Sequence, residues 1–291
     1  MPIDPSSLGV STPPRRFSWT DRDTMLYALG VGADASTPQF VTENSYGVVQ
    51  RVLPTYAVIV ADASAALGLV GDIDLSRLVH GSQSMELHAP LPASGAVEAT
   101  ASIVGLVDKG LGGNAIINLA ARAHDIGSGE LLVETRSTVV LRGGGGFGGA
   151  AGGARETTEI PDRPADHEVS QWTRADQALL YRLSGDRNPL HSDPWFAREQ
   201  AGFPQTILHG LCTYGFAGRA LLSELCRGDA EHLTGMSASF TAPVFPGEVL
   251  TTRIWRTGPR DAVFRTSAHR DGEQSRVVLD GGRVRHAELS G

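Results

Sequence analysis

The chain has 291 residues, 41% of them hydrophobic and 20% charged, with a formal net charge of −7. That is enough apolar material for packed cores throughout and enough length for two domains. A diffuse acidic surface without clustered Lys and Arg excludes nucleic acid as the main partner. No apolar run approaches the ~20 residues of a membrane span. The stretch 1–14 is polar and Pro-rich, with no apolar signal core, and the end, His286-Ala-Glu-Leu-Ser-Gly291, is not a peroxisomal address. Cys212 and Cys226 fall in one apolar helical pattern, which reads as two buried thiols rather than a disulfide framework or zinc site. A reducing cytoplasm is the expected setting.

In chain order, Trp19-Thr20-Asp21-Arg22-Asp23 stands ahead of Met25-Leu26-Tyr27. Thr20 can cap a helix, and Asp23 can reach back to it. Residues 55–69 (TYAVIVADASAALGL) predict a helix apolar on most faces, which belongs inside the structure. Leu78-Val79-His80-Gly81 and His88-Ala-Pro-Leu91 follow. Three runs, 96–106, 115–123 and 131–141, then alternate as half-buried antiparallel strands do.

Residues 143–153 read GGGGFGGAAGG, eight glycines in eleven positions, and the stretch to about 165 is polar and Pro-bearing. Such a segment buries little and costs much entropy to order, so it reads as a linker; a long surface loop is the alternative. The repeat on either side favours the linker. Trp172-Thr173-Arg174-Ala175-Asp176 answers the first helix start, and Leu208-His209-Gly210 answers Leu78 to Gly81. Residues 211–225 (LCTYGFAGRALLSEL) answer the first apolar helix, and Thr241-Ala-Pro-Val244 answers His88 to Leu91. Strand-like runs at 237–242, 249–255, 262–268 and 275–284 complete the second half. The pattern is α+β in two similar halves. The expected division is 1–142, a linker at 143–165, and 166–291.

The richest segment is Tyr181-Arg-Leu-Ser-Gly-Asp-Arg-Asn-Pro-Leu-His191. A helix over 173–183 is predicted to end at Gly185. Asn188 precedes a proline and is biased to extended backbone. Asp193-Pro194 then starts a short helix that ends near Gly202. Asp186, Asn188 and His191 therefore lie on a connector fixed at both ends. They read either as an acid–base set or as an Asx turn with a surface histidine. The His209-Gly210 helix start weighs for the first, because a glycine N–H at the positive end of a helix suits a developing oxyanion. A metal site of Asp186, His191 and His209 lacks a compact ligand pattern, and a Ser/His/Asp hydrolase lacks its G-x-S-x-G elbow. No metal or redox cofactor is implied.

Residues 181–191 match the signature Tyr-x-Leu-Ser-Gly-Asp-x-Asn-Pro-Leu-His, and the chain resembles the MaoC-like, type 2 enoyl-CoA hydratases. Asp108-Lys-Gly110, Gly144-Gly-Gly-Phe-Gly-Gly149 and Ile207-Leu-His-Gly-Leu-Cys212 extend the resemblance over nearly the whole length, to the hydratase part of the peroxisomal multifunctional enzyme and to (3R)-hydroxyacyl-thioester dehydratases. The resemblance implies a double hot-dog fold, each repeat a long helix wrapped by a curved antiparallel sheet. It also implies reversible hydration of trans-2-enoyl-CoA to the (3R)-3-hydroxyacyl thioester in fatty-acid metabolism. Asp186 and His191 would hold the water, Asn188 would assist, and Gly210 N–H would bind the thioester oxygen. Tyr27, Glu43, His80, Gly81, Lys109 and Phe240 match family contacts to substrate. The first half has no such motif and would admit the acyl tail. A homodimer is expected from the same family. A noncatalytic acyl-thioester-binding subunit and a hot-dog thioesterase are the competing functions.

Overall fold

The computed structural model describes residues 3–74, 77–150, 158–270 and 272–288. Among these, ten strands form one antiparallel sheet: β1 (Arg15–Trp19), β2 (Leu78–Leu87), β3 (Gly95–Asp108), β4 (Ala115–Asp125), β5 (Leu131–Leu141), β6 (His167–Trp172), β7 (Leu233–Phe240), β8 (Val249–Arg256), β9 (Asp261–His269) and β10 (Arg276–His286). Their order is β1-β3-β4-β5-β2-β7-β10-β9-β8-β6. Each half contributes five neighbouring strands, and β2 pairs with β7 at the seam, Ser82 opposite Ser239 through Glu86 opposite Gly235. The fold is the expected α+β double hot-dog.

The helices are α1 (Asp21–Gly30), α2 (Pro38–Val41), α3 (Ala57–Val60), α4 (Gln177–Tyr181) and α5 (Gly210–Cys226). Helix α5 is the long buried one: twelve of its residues, from Cys212 to Cys226, are buried on nearly every face. It lies against the first half so closely that a Cβ at Gly215 would sit 2.4 Å from Val31. The open carbonyls at the end of α1 are met by the second half. Gln177 Nε2 donates to Gly30 O at 2.6 Å, Cys212 Sγ donates to Gly30 O at 3.3 Å, and Arg219 Nη1 donates to Val31 O at 3.3 Å. Both cysteines are free and buried, and burial raises both thiol pKa values. Among the described residues no helix is long and apolar enough to cross a membrane.

The first half departs from expectation at residues 55–69. They form a 3-10 turn (Pro54–Tyr56), the single-turn α3, and a 3-10 stretch (Ala63–Leu69). Asp62 causes the break: its carboxylate accepts Ser64 N–H at 2.8 Å and so caps a new turn in mid-sequence. Thr135 Oγ1 donates to Ala61 O at 2.6 Å, satisfying a carbonyl freed at the break.

Two local expectations also change. Asp23 does accept from Thr20 N–H at 2.8 Å, but the matching box in the second half does not form. Thr173 Oγ1 instead donates to Glu248 O at 2.7 Å and Asp176 pairs with Arg174, so α4 begins only at Gln177. Leu78 to Gly81 start a strand, whereas their counterpart at Leu208 to Gly210 leads into a helix, and β2 has a bulge between His80 and Ser82. The described part of the glycine run folds back on the β3–β4 turn: the Asp108 carboxylate accepts Gly110, Gly146 and Gly148 N–H at 2.8, 2.7 and 2.8 Å. Residues 151–157 of the expected linker lie outside the described residues.

Candidate active site

The motif loop leaves α4 through a 3-10 turn (Arg182–Ser184) and reverses at Gly185, whose φ of +134° favours glycine. Asp186 Oδ1 accepts Asn188 N–H at 3.0 Å, and Asn188 Oδ1 accepts Leu190 N–H at 3.0 Å. These two Asx turns spend the Asn188 carbonyl on the backbone and wind Pro189–His191 into a 3-10 turn. The Asx-turn alternative is thus present, but His191 is not at the surface. It is 8% exposed and points inward.

His191 Nδ1 lies 2.9 Å from Ile207 O. A carbonyl only accepts, so Nδ1 carries the proton and Nε2 is left as an acceptor. Burial lowers the His191 pKa from its ordinary 6.5, which keeps the ring neutral at pH 7. His209 stacks on it, with ring centroids 3.6 Å apart and planes 25° from parallel, and Tyr181 covers His209 at 4.9 Å. His209 Nε2 is 3.3 Å from Asp186 O. Burial, and then the neighbouring His191, push its pKa down to about 3.

One polar side-chain atom each from Asp186, His191 and His209 lies within 4.8 Å of the others. Two groups sharing one water at ordinary hydrogen-bond lengths stand about 4.6 Å apart, and the 4.8 Å bound brings the carboxylate and imidazole close enough for one bridging water. The same three residues could reach a metal ion. The two rings stack nearly parallel, and His191 Nδ1 is already taken by Ile207 O.

Gly210 opens α5, so its N–H has no carbonyl of its own helix to bond and sits at the positive end of the dipole. Phe240 lies over it: a Cβ at Gly210 would be 3.1 Å from Phe240 Cε1. Phe240 in turn packs on His80 at 4.6 Å. Burial pushes the His80 pKa down to about 4, and its Nε2 has no hydrogen-bond partner among the described residues. Gly81 stands at the β2 bulge, where a Cβ would be 3.1 Å from Thr138 O.

Two cavities, of about 890 and 410 Å³, share Asp186, His80, Ser64, Ser137 and Leu211 in their walls. The larger runs along the first half, past Val58, Ile59, Ala99, Ala101 and Ala121. The smaller holds Asn188, His191, His209, Gly210 and Phe240. Asp186 is therefore at their junction. Four expected contacts stand apart: among the described residues, neither cavity is lined by Tyr27, Glu43, Gly81 or Lys109. Tyr27 is fully buried behind the site, 5.2 Å from the Tyr56 ring and 6.0 Å from the Tyr181 ring. Glu43 and Lys109 are exposed. His209 is the residue whose place sequence reasoning undervalued; its adjacency to Gly210 was the available signal.

Fold and site together define a double hot-dog protein of MaoC type, with a loop carboxylate and buried imidazole facing a helix N-terminus. Residues 156–277 match the model of the MaoC like domain, and residues 17–143 match that of the MFE-2 hydratase 2 N-terminal domain. The chain is 57% identical over 287 residues to 3-hydroxyacyl-thioester dehydratase Y of Mycobacterium tuberculosis, covering 98% of this chain and 99% of that one. It is 40% identical over 294 residues to the peroxisomal enoyl-CoA hydratase 2 of Arabidopsis thaliana, covering 94% and 92%. A MaoC-like dehydratase from Phytophthora capsici superposes with a TM-score of 0.85 at 27% identity, covering 98% of both chains. The chain belongs to the MaoC-like, type 2 enoyl-CoA hydratase family.

Proposed function

We propose that this chain catalyses reversible syn addition of water to a trans-2-enoyl thioester, giving the (3R)-3-hydroxyacyl thioester. The carrying observation is that Asp186 and His191 bring polar side-chain atoms within 4.8 Å of each other, beside the first N–H of α5 at Gly210. The water, held by both groups, attacks C3. The pair takes one proton from it and returns one to C2. Charge gathering on the thioester oxygen is met by the Gly210 N–H. Asn188 holds the loop through its Asx turn and lines the same cavity.

The larger cavity, walled by the first half, takes the acyl tail; the broken helix at 55–69 supports this, because Val58 and Ile59 line the cavity there. The smaller cavity takes the thioester arm. His80 and Phe240 form its shared wall with the catalytic groups. The domain division at 143–165, a role for Glu43 and Lys109 toward CoA, a homodimer, and a cytoplasmic site of action remain part of the same proposal.

The test is loss of enoyl-thioester absorbance with wild type, Asp186→Asn and His191→Ala, and a thiol reagent in parallel. Each variant should lose roughly 10²–10⁴ in rate, as positioned acid–base groups do. Near-full turnover in both would remove the assignment, and release of free CoA by wild type would make the protein a thioesterase. No turnover by wild type on any chain length would leave a binding subunit.

A further inference from the structure

Behind the smaller cavity lies an ion pair that the chemistry above does not use. Glu248 is only 1% exposed. Arg276 Nη1 and Nη2 donate to its two carboxylate oxygens at 2.8 and 2.6 Å, a two-pronged contact. The same guanidinium donates to Pro243 O from Nη2 at 2.7 Å and from Nε at 3.1 Å. Phe245 N–H completes the carboxylate at 2.8 Å, and the guanidinium carbon stands 5.4 Å from the Phe245 ring centroid. Residues 243–248 are thus tied into one rigid turn.

That turn touches the site through its next carbonyl. Val244 O accepts Leu208 N–H at 2.7 Å. Leu208 is flanked by Ile207, whose carbonyl holds His191 Nδ1, and by His209-Gly210, where α5 begins. Pro243 and Val244 line the smaller cavity, whereas Arg276 and Glu248 do not figure in its wall among the described residues. The connection from guanidinium to imidazole is short: Arg276 to Pro243, along one peptide to Val244, across to Leu208, along one peptide to Ile207, and on to His191.

We propose that Arg276, working with Glu248, is a positioning residue for the reaction: it sets the strip 207–210, which orients His191 and presents the Gly210 N–H. This rests on the function proposed above. An ion pair with a buried carboxylate and a half-buried guanidinium is a poor source of stability compared with apolar packing of the same volume. Here it fixes a direction that apolar packing would leave free. Only a planar fork can serve Glu248 and Pro243 together, so lysine is not equivalent.

The experiment compares wild type with Arg276→Lys and with the charge-neutral double variant Glu248→Leu/Arg276→Met. The double variant avoids leaving a lone buried charge and guards against a folding failure of the first. Both are checked for cooperative melting, then assayed on crotonyl-CoA across pH. Slight misplacement of reacting groups costs far more in turnover than in affinity, so kcat should fall roughly 10–100-fold while KM moves less than about threefold. The acid limb of the pH profile should also shift, because the carbonyl that holds His191 is no longer fixed. A purely structural pair would lower the melting temperature and leave kcat and the limb in place; that result in either folded variant overturns the inference. His191→Ala is run alongside. Wild-type turnover there would sink the hydratase mechanism itself, so the two failures are distinguishable.

Discussion

The Gly210 N–H can be deleted without breaking the helix that carries it. Gly210 is the first residue of α5, and His209 before it has φ −58° and ψ 138°. That extended geometry is the one a following proline demands, and proline is favoured at a first helical position. Gly210→Pro therefore removes the donor and keeps the helix start. The added Cβ lies 3.1 Å from Cε1 and 3.2 Å from Cδ1 of Phe240, so that ring must give by a few tenths of an ångström. Gly210→Ala brings the same Cβ but retains the N–H, so the ratio of the two variants reports loss of the donor together with the ring carbon that replaces it. Losing one oxyanion donor costs about 10²–10³ in kcat, or about 2.7–4 kcal/mol of transition-state stabilisation. Initial rates on crotonyl-CoA, with circular dichroism to show the helix intact, give the ratio. A proline variant within about threefold of the alanine variant would refute the role given to this N–H.

Other outcomes follow from the same geometry. His191 has its pKa lowered by burial, so kcat/KM for hydration should be flat near neutrality, with an acid limb midpoint below the ordinary 6.5; a midpoint above that value contradicts a buried neutral base. The pKa values of His80 and His209 are held at about 4 and about 3, while in the unfolded chain both sit near 6.5. The unfolded state therefore binds the extra protons, and stability is full above pH 6.5 and lost as pH falls below it. From pH 7 to pH 5 each site should remove about 2 kcal/mol, and denaturant midpoints unchanged over that range would count against the burial described. Ala99→Leu, in the wall of the larger cavity, should lower kcat/KM for long enoyl chains and spare crotonyl-CoA. Equal loss on both substrates would show that the tail does not run there.

Much of the sheet was legible because β4 alternates buried and part-buried positions along its length and β8 and β9 are short, largely buried runs. Strand β2 was not, since its buried positions are Gln83, Met85 and Leu87, and a buried glutamine interrupts the apolar period. The edge strands β1 and β6 are short, with largely exposed residues, and left no signal. Residues 55–69 looked like one helix because composition says nothing of where Asp62 will cap. The loop 185–191 was readable as a motif, with its proline and glycine setting the turns. The stacking of His191 on His209 was not, because it depends on how α5 seats against the first half. Glu248 closes the turn before β8 and Arg276 opens β10, so nothing local in the sequence marks their pairing.

The most direct test of a single water shared by Asp186 and His191 is hydration of crotonyl-CoA in deuterium oxide, with the product resolved by chiral analysis and proton NMR. Two groups holding one water must deliver oxygen and hydrogen to the same face. The expected product is the 3R alcohol with one deuteron at C2, added on the face that received the hydroxyl. A 3S product, or deuterium on the opposite face, would contradict the arrangement.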